Sequence, residues 1–292
     1  MIELTTLALI GALSAAPDPA AHRAEIEQWR QQRVERLTAP TGWLSLVGLH
    51  WLPRGLSVIG HGEGATVDLG RGPAELATLS WEGDRFYLKA RQSGLQVGEQ
   101  EILGTELRSD AEGAPTLVQF GDVQFYLIKR GERFGLRVKD AQAPTRVNFG
   151  GIDYFDINPA WRIEARFEPH DPPRTMAIAT VAGNEEDYPN PGRVVFQHDG
   201  TAYSLEALEE EGTDDYFFIV YDGTSGKETY GMARFMYAAP PVDGKIVMDF
   251  NKLYNPPCAF TEFSTCPLPP TENRLRLRIT AGEKAYHGAD HG

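Results

Sequence analysis

Cysteine is scarce: the 292 residues contain two, Cys258 and Cys266. A structural zinc site takes about four ligands, and no histidine lies near this pair to complete one. A Cys258–Cys266 disulfide in an oxidising compartment is the expected reading, with two free thiols in a reducing one as the alternative. As a disulfide, so short a loop contributes about 2–3 kcal/mol on chain-entropy grounds. Long apolar runs are missing too. No stretch reaches the ~18 residues that a membrane-spanning helix needs, so no membrane span is expected. Basic charge is in short supply: 28 Lys and Arg against 41 Asp and Glu leave a net charge of −13. Such a surface repels phosphate backbones and anionic bilayers, which excludes nucleic acid as a partner class, and an acidic ligand would need a local basic pocket. Histidine pairs at metal-binding spacing are lacking in the body of the chain, since positions 22, 50, 61, 170 and 198 are scattered and His287 and His291 lie at its end. No metal and no cofactor is expected from these motifs.

What is plentiful is turn chemistry. Thirty glycines and twenty prolines suit a fold of short strands joined by tight connections. Near the start, the apolar run Leu7–Leu13 precedes Ser14, Ala15 and Ala16. This pattern reads as a signal peptide over residues 1–16, although Met1-Ile-Glu lacks the usual positive charge; a periplasmic or secreted location is the expectation, with a cytoplasmic one left open. Asp18-Pro19 is a helix start. Ile26, Trp29, Arg33, Val34 and Leu37 then recur at helical spacing, predicting an amphipathic helix over 18–38.

From there the pattern is β. Gly42–Trp51 is apolar enough to be buried. Short runs then alternate with glycine-rich turns, among them Leu76–Trp81, Arg85–Ala90, Val123–Arg130 and Phe134–Val138. Phe86, Leu88 and Ala90 share one face, as do Val123, Phe125 and Leu127, which is the period-2 signature of half-buried strands. The expected fold class is all-β, a mainly antiparallel sandwich or barrel with one N-terminal helix. Periodicity stops at Asp140–Pro144, dividing the chain into an N-terminal β domain over 41–140 and a C-terminal β domain over 145–286. In the second half, strands are expected at Trp161–Glu168, Thr175–Val181, Arg193–Gln197, Tyr216–Tyr221, Thr229–Tyr237, Lys245–Phe250 and Arg274–Thr280, with a helical turn at Ser204–Glu211. Gly60–Gly64 leads into a strand rather than a helix, so it is a turn and not a phosphate loop. Gly223-Thr-Ser-Gly226 lacks the spacing of a nucleophile elbow. The N-terminal rhythm at Val58-Ile-Gly60, Trp81–Leu88 and Phe120-Gly-Asp122 resembles a forkhead-associated sandwich without its phosphothreonine-reading residues, which implies at most the fold.

The informative segment is the last quarter. If the connection Ala238–Gly244 closes a symmetric hairpin, Tyr230, Met232, Arg234, Asp249 and Asn251 share one face, with Arg234 opposite Asp249. The other face, Ala233, Phe235, Met248 and Phe250, is core-like. Downstream lie Tyr254-Asn-Pro-Pro-Cys-Ala-Phe260, Cys266-Pro-Leu-Pro-Pro270 and Ala281-Gly-Glu-Lys284. With Asp249-Phe-Asn251 and Gly42-Trp-Leu-Ser-Leu-Val-Gly-Leu49, these motifs resemble the bacterial and archaeal family known as domain of unknown function 1684, over about Arg33 to Lys284. The resemblance implies a conserved polar C-terminal segment and no assigned activity.

Two readings of that segment compete. In one, a pocket binds an anionic or carbonyl-bearing ligand through Arg234. Asp249 or Glu283 serves as acid or base in hydrolase-type chemistry, and Tyr230, Asn251, Tyr254 and Asn255 orient the ligand. In the other, Arg234–Asp249 is a structural ion pair and the asparagines satisfy turn backbones. The partner is then a small molecule or a protein, the latter docking on an apolar patch such as Trp43 and Trp51.

Overall fold

The computed structural model describes residues 18–288; the apolar run Leu7–Leu13 with its expected signal peptide, and Asp290 and His291, lie outside the described residues. Asp18 caps helix α1 (Pro19–Thr38), its carboxylate accepting from the Ala20 amide at 3.1 Å. The inward face runs His22, Ile26, Arg33 and Leu37. Trp29 and Val34, expected on that face, are half-buried. Two of the four buried positions are ionisable, so the helix docks through buried polar pairs as well as apolar contact.

Eleven described strands follow before residue 141: β1 (Leu46–Trp51), β2 (Gly55–Gly60), β3 (Val67–Asp68), β4 (Ala77–Glu82), β5 (Arg85–Ala90), β6 (Gln96–Val97), β7 (Gln100–Glu101), β8 (Gly104–Glu106), β9 (Val118–Phe120), β10 (Val123–Arg130) and β11 (Arg133–Asp140). They form two sheets, ordered β1-β11-β10-β9-β6-β7 and β3-β2-β4-β5-β8. All pairings are antiparallel except the short β2–β3 contact. Leu79, Phe86 and Leu88 of one sheet meet Phe125, Leu127 and Leu136 of the other in a common core, the packing of a β-sandwich. Because side chains alternate, the residues between those core positions on β10 and β11 point away from it. Tyr126 lies opposite Arg137, and Gln124 opposite Lys139, on that outer face.

A short helix α2 (Pro144–Val147) leads to the second half. Strands β12 (Arg162–Ala179) and β13 (Glu185–His198) form a long hairpin, flanked by β14 (Thr201–Ala207) and β17 (Lys245–Asp249) in the order β14-β13-β12-β17. Strands β15 (Tyr216–Val220) and β16 (Arg234–Ala238) pair separately. The two expected strands on either side of His170-Asp-Pro-Pro173 are one strand, joined across a register shift between Pro169 and Arg174 where the prolines interrupt the ladder. Ser204–Glu211 is not a helical turn: Ser204 to Ala207 pair with β13, and sheet pairing overrides the helical propensity of Leu-Glu-Ala-Leu. Arg274–Thr280 keeps its alternating burial but joins no ladder beyond a single bridge, Arg274 to Tyr221. No described helix is long and apolar enough to cross a membrane.

Candidate functional site

The expected hairpin of β16 and β17 does not form. The two strands belong to different sheets, β16 with β15 and β17 with β12, so Arg234 and Asp249 are not partners. The core-like face is as expected, with Ala233, Phe235, Met248 and Phe250 all buried, whereas Met232 is exposed. Arg234 bonds Asp222 at 2.7 Å instead. Its guanidinium also donates to the carbonyls of Ile279, Ala281 and Glu283. Those carbonyls belong to the extended closing segment, and one side chain satisfies all three. Burial pulls the Arg234 pKa down while Asp222 opposes the shift. Asp222 in turn takes the Thr224 amide and hydroxyl, folding Gly223–Gly226 into the connection between β15 and β16.

Asp249 and Glu283 each anchor helix α1. The Asp249 carboxylate meets His22 Nε2 at 2.7 Å and accepts from the Asn251 amide and side chain. Asn251 also bonds both ways with the Asn158 backbone. Glu283 receives Arg33 Nε at 3.0 Å on one oxygen and the Asn255 amide at 2.7 Å on the other. Burial raises the Glu283 pKa, and Arg33 limits the rise. Arg33 extends to the Asn255 carbonyl and lies over the Tyr254 ring, 4.6 Å from its centroid. The Asn255 side chain donates to the Lys284 carbonyl, and Tyr230 donates to the Cys258 carbonyl. The structure therefore joins Glu283, Asn255 and Tyr254 around Arg33. It places Asp249 and Asn251 in a second group around His22, and Arg234 in a third.

Cys258 and Cys266 are free thiols in this structure. The Ser264 hydroxyl lies 2.8 Å from Cys258 Sγ and 3.6 Å from Cys266 Sγ, and the Cys258 amide points at Cys266 Sγ at 3.2 Å. Hydrogen bonding from Cys266 and Ser264 pushes the Cys258 thiol down to about 6.

A cavity of about 920 Å³ opens between α1, the outer face of β10 and β11, and the 252–267 segment, within the range of small-molecule sites. Trp29, Tyr188, Phe235, Tyr237 and Tyr254 supply aromatic wall. Arg33, Arg36, Arg130, Arg137, Lys139 and Lys252 line it against three acids, Glu186, Glu210 and Asp215. Three of the six cations are ion-paired. Arg130 has Asp110 and Glu186, Arg33 has Glu283, Lys252 has Glu25, and Glu210 takes the Tyr237 hydroxyl. Arg137 is different. It is 4% exposed, forms no ion pair among the described residues, and leaves its buried Nε without a hydrogen-bond partner. Its terminal nitrogens reach only the Tyr126 and Thr265 hydroxyls, at 3.3 and 3.2 Å. Thr265 also accepts from Arg130 at 3.0 Å, so two cations share one hydroxyl oxygen and its proton is free to point elsewhere.

Helix α1 reaches this wall because Gly42 permits it: a Cβ there would sit 2.4 Å from the Leu37 carbonyl oxygen and 2.5 Å from that of Arg36. Of the residues expected at a site, Arg33's neighbour Tyr254 and the Cys266 of the thiol pair line the cavity; Asp249, Glu283, Tyr230, Arg234, Asn251 and Asn255 do not. Reasoning from strand pattern missed Arg137 and Lys139. Their signal was present as two cations alternating on the face of β11 turned away from the core, with Tyr126 opposite Arg137.

Residues 147–284 match the family described as Protein of unknown function (DUF1684), a narrower span than Arg33–Lys284. No curated protein matches the chain. Among solved structures, the solution NMR structure of an uncharacterized protein of Haloarcula marismortui is similar, at 32% identity and a TM-score of 0.41. The similarity covers 48% of this chain and 79% of that one. The last-quarter motifs, the Arg33–Glu283–Asn255 cluster and the Asp249-Phe-Asn251 turn all fall within or dock onto the matched span, and the chain belongs to the DUF1684 family.

Proposed function

We propose that this protein binds a small organic anion with a planar or apolar body in the cavity between α1, β10–β11 and the 252–267 segment. The observation that carries the reading is Arg137, a guanidinium that is nearly solvent-free yet has no carboxylate partner among the described residues. Burying an uncompensated charge costs several kcal/mol, and a ligand carboxylate or phosphate supplies the missing counter-charge. Arg36 and Lys139, which also form no ion pair among the described residues, stand beside it on the wall. They answer the need for a local basic pocket in a chain of net charge −13. The aromatic wall of Trp29, Tyr237 and Tyr254 takes the ligand's body, with Arg33 holding the Tyr254 ring in place.

In this reading Asp249 and Glu283 are scaffold rather than acid and base, since both oxygens of each are engaged by internal partners and neither lines the cavity. Arg234, Asn251, Asn255 and Tyr230 act behind the wall, holding the segment that carries Tyr254. Binding without turnover is the activity this geometry favours. The apolar run at Leu7–Leu13 and the adjacent thiols make export, with a Cys258–Cys266 disulfide, part of the same proposal.

The test is a melting-temperature titration of the purified chain with benzoate, phenylacetate and phenyl phosphate, against phenylethylamine as cationic counterpart. Saturable stabilisation by one or more anions and none by the amine is expected. Stabilisation by the amine alone, or by no anion at concentrations up to tens of millimolar, contradicts the reading.

A further inference from the structure

We propose that Lys139 is a nucleophilic amine that forms an imine with the ligand, which makes 2-oxo acids with an aromatic or apolar body the ligand class. The inference rests on the anion-binding reading and adds the carbonyl. Lys139 stands two residues after Arg137 on the same outer face of β11, and both line the cavity. Lys139 Nζ lies 5.6 Å from the Trp43 ring centroid and 5.7 Å from that of Tyr126. The Arg137 guanidinium approaches the same two rings at 5.3 and 5.9 Å. Two cations that share a pair of rings match a molecule whose carboxylate and ketone sit on neighbouring carbons.

The surroundings of Lys139 favour its neutral form. It forms no ion pair among the described residues, and its one hydrogen bond runs to the Thr41 carbonyl at 2.5 Å. Of the charged groups that line the cavity, Arg137 on its own strand acts on Lys139; Arg33 and Arg36 on α1 are also cationic, and Glu186, Glu210 and Asp215 complete the lining. Burial, then the charge of Arg137, pushes its pKa from 10.5 to about 8, the condition under which a lysine serves as nucleophile. Lys252, the other lysine on the cavity wall, is ion-paired with Glu25 at 2.5 Å. Arg137 holds the carboxylate. The deprotonated Lys139 nitrogen attacks the adjacent carbonyl carbon, forming the C–N bond, and the resulting carbinolamine loses its oxygen as water when the C–O bond breaks. An ammonium and a ketone become a protonated imine and one water, with no change in net charge and no oxidant or reductant.

The experiment incubates the full chain with phenylpyruvate and sodium cyanoborohydride and maps the modified peptide by mass spectrometry. Phenyl-lactate, the same carboxylate without the ketone, serves as competitor. The expected result is one adduct per chain, on Lys139, suppressed by excess phenyl-lactate. Lys139→Arg should give no adduct, whereas Lys245→Arg, at an exposed lysine outside the cavity, should give the parent's adduct. If phenyl-lactate stabilises the chain but phenylpyruvate leaves no adduct, or labels lysines in proportion to their exposure, the imine is wrong and anion binding stands. If neither acid stabilises it, both fall.

Discussion

Arg234 and Asp222 bond at 2.7 Å with neither side chain reaching solvent. The same guanidinium carries the Ile279, Ala281 and Glu283 carbonyls, so the pair ties β16 to the final extended segment. Truncating the acid leaves a buried cation and releases that segment. Asp222→Ala should therefore lower stability by about 3–5 kcal/mol, read by urea denaturation. A loss below about 1 kcal/mol would place the pair in the class of exposed ion pairs and contradict its burial.

Helix α1 is held by Arg33 on Glu283 and by His22 on Asp249, and the first of these contacts should depend on pH. Burial raises the Glu283 pKa above 4.5. For an acid whose folded pKa is raised, the favourable contribution is complete below the unfolded value and is lost as pH rises through the folded one. Arg33→Met removes the cation that restrains this rise. The variant should be less stable than the parent at neutral pH by several kcal/mol, and the gap should narrow as the pH falls towards the unfolded value of Glu283. Urea midpoints across that range check this; a gap that widens in acid has the wrong sign.

Closure of the free thiol pair belongs to the export proposal. With Ser264 touching both sulfurs and the Cys258 amide on Cys266 Sγ, oxidation should join Cys258 to Cys266 within one chain and restrain the loop that carries Thr265. Protein recovered from an oxidising compartment should then show no titratable thiol in denaturant without reductant. Two titratable thiols would remove both the bond and the export proposal that depends on it.

The helix, the strand β10 over Val123–Arg130 and the core face of Ala233, Phe235, Met248 and Phe250 were all legible in the sequence, because each follows from local periodicity or capping. The partner of Arg234 was not. The expected partner, Asp249, required that β16 and β17 be neighbours, and the connection that reads as a hairpin instead carries the chain from one sheet to another. His22 looked like one of seven scattered histidines, although helical spacing sets it one turn before Ile26 on the buried face; its partner lies 227 residues away. Arg274–Thr280 shows the limit of alternation as a signal. Leu275, Leu277 and Ile279 do turn inward, but the segment's backbone meets only Tyr221 and Gly223, and the Arg234 guanidinium takes the Ile279 carbonyl. The cavity was hidden for a related reason. Cations on the outer face of β11 read as solvated until α1 and the 252–267 segment, distant in the chain, are seen to cover them.

The most direct test of the anion-binding account is Arg137→Met, which keeps an unbranched apolar side chain there and removes the charge. An unpaired buried cation is a cost to the empty protein. The account therefore predicts a melting temperature equal to or above the parent's, with stabilisation by aromatic carboxylates reduced at least tenfold in apparent affinity. A variant that melts well below the parent and still responds to those anions with unchanged affinity would show that Arg137 is scaffold, and would contradict the account.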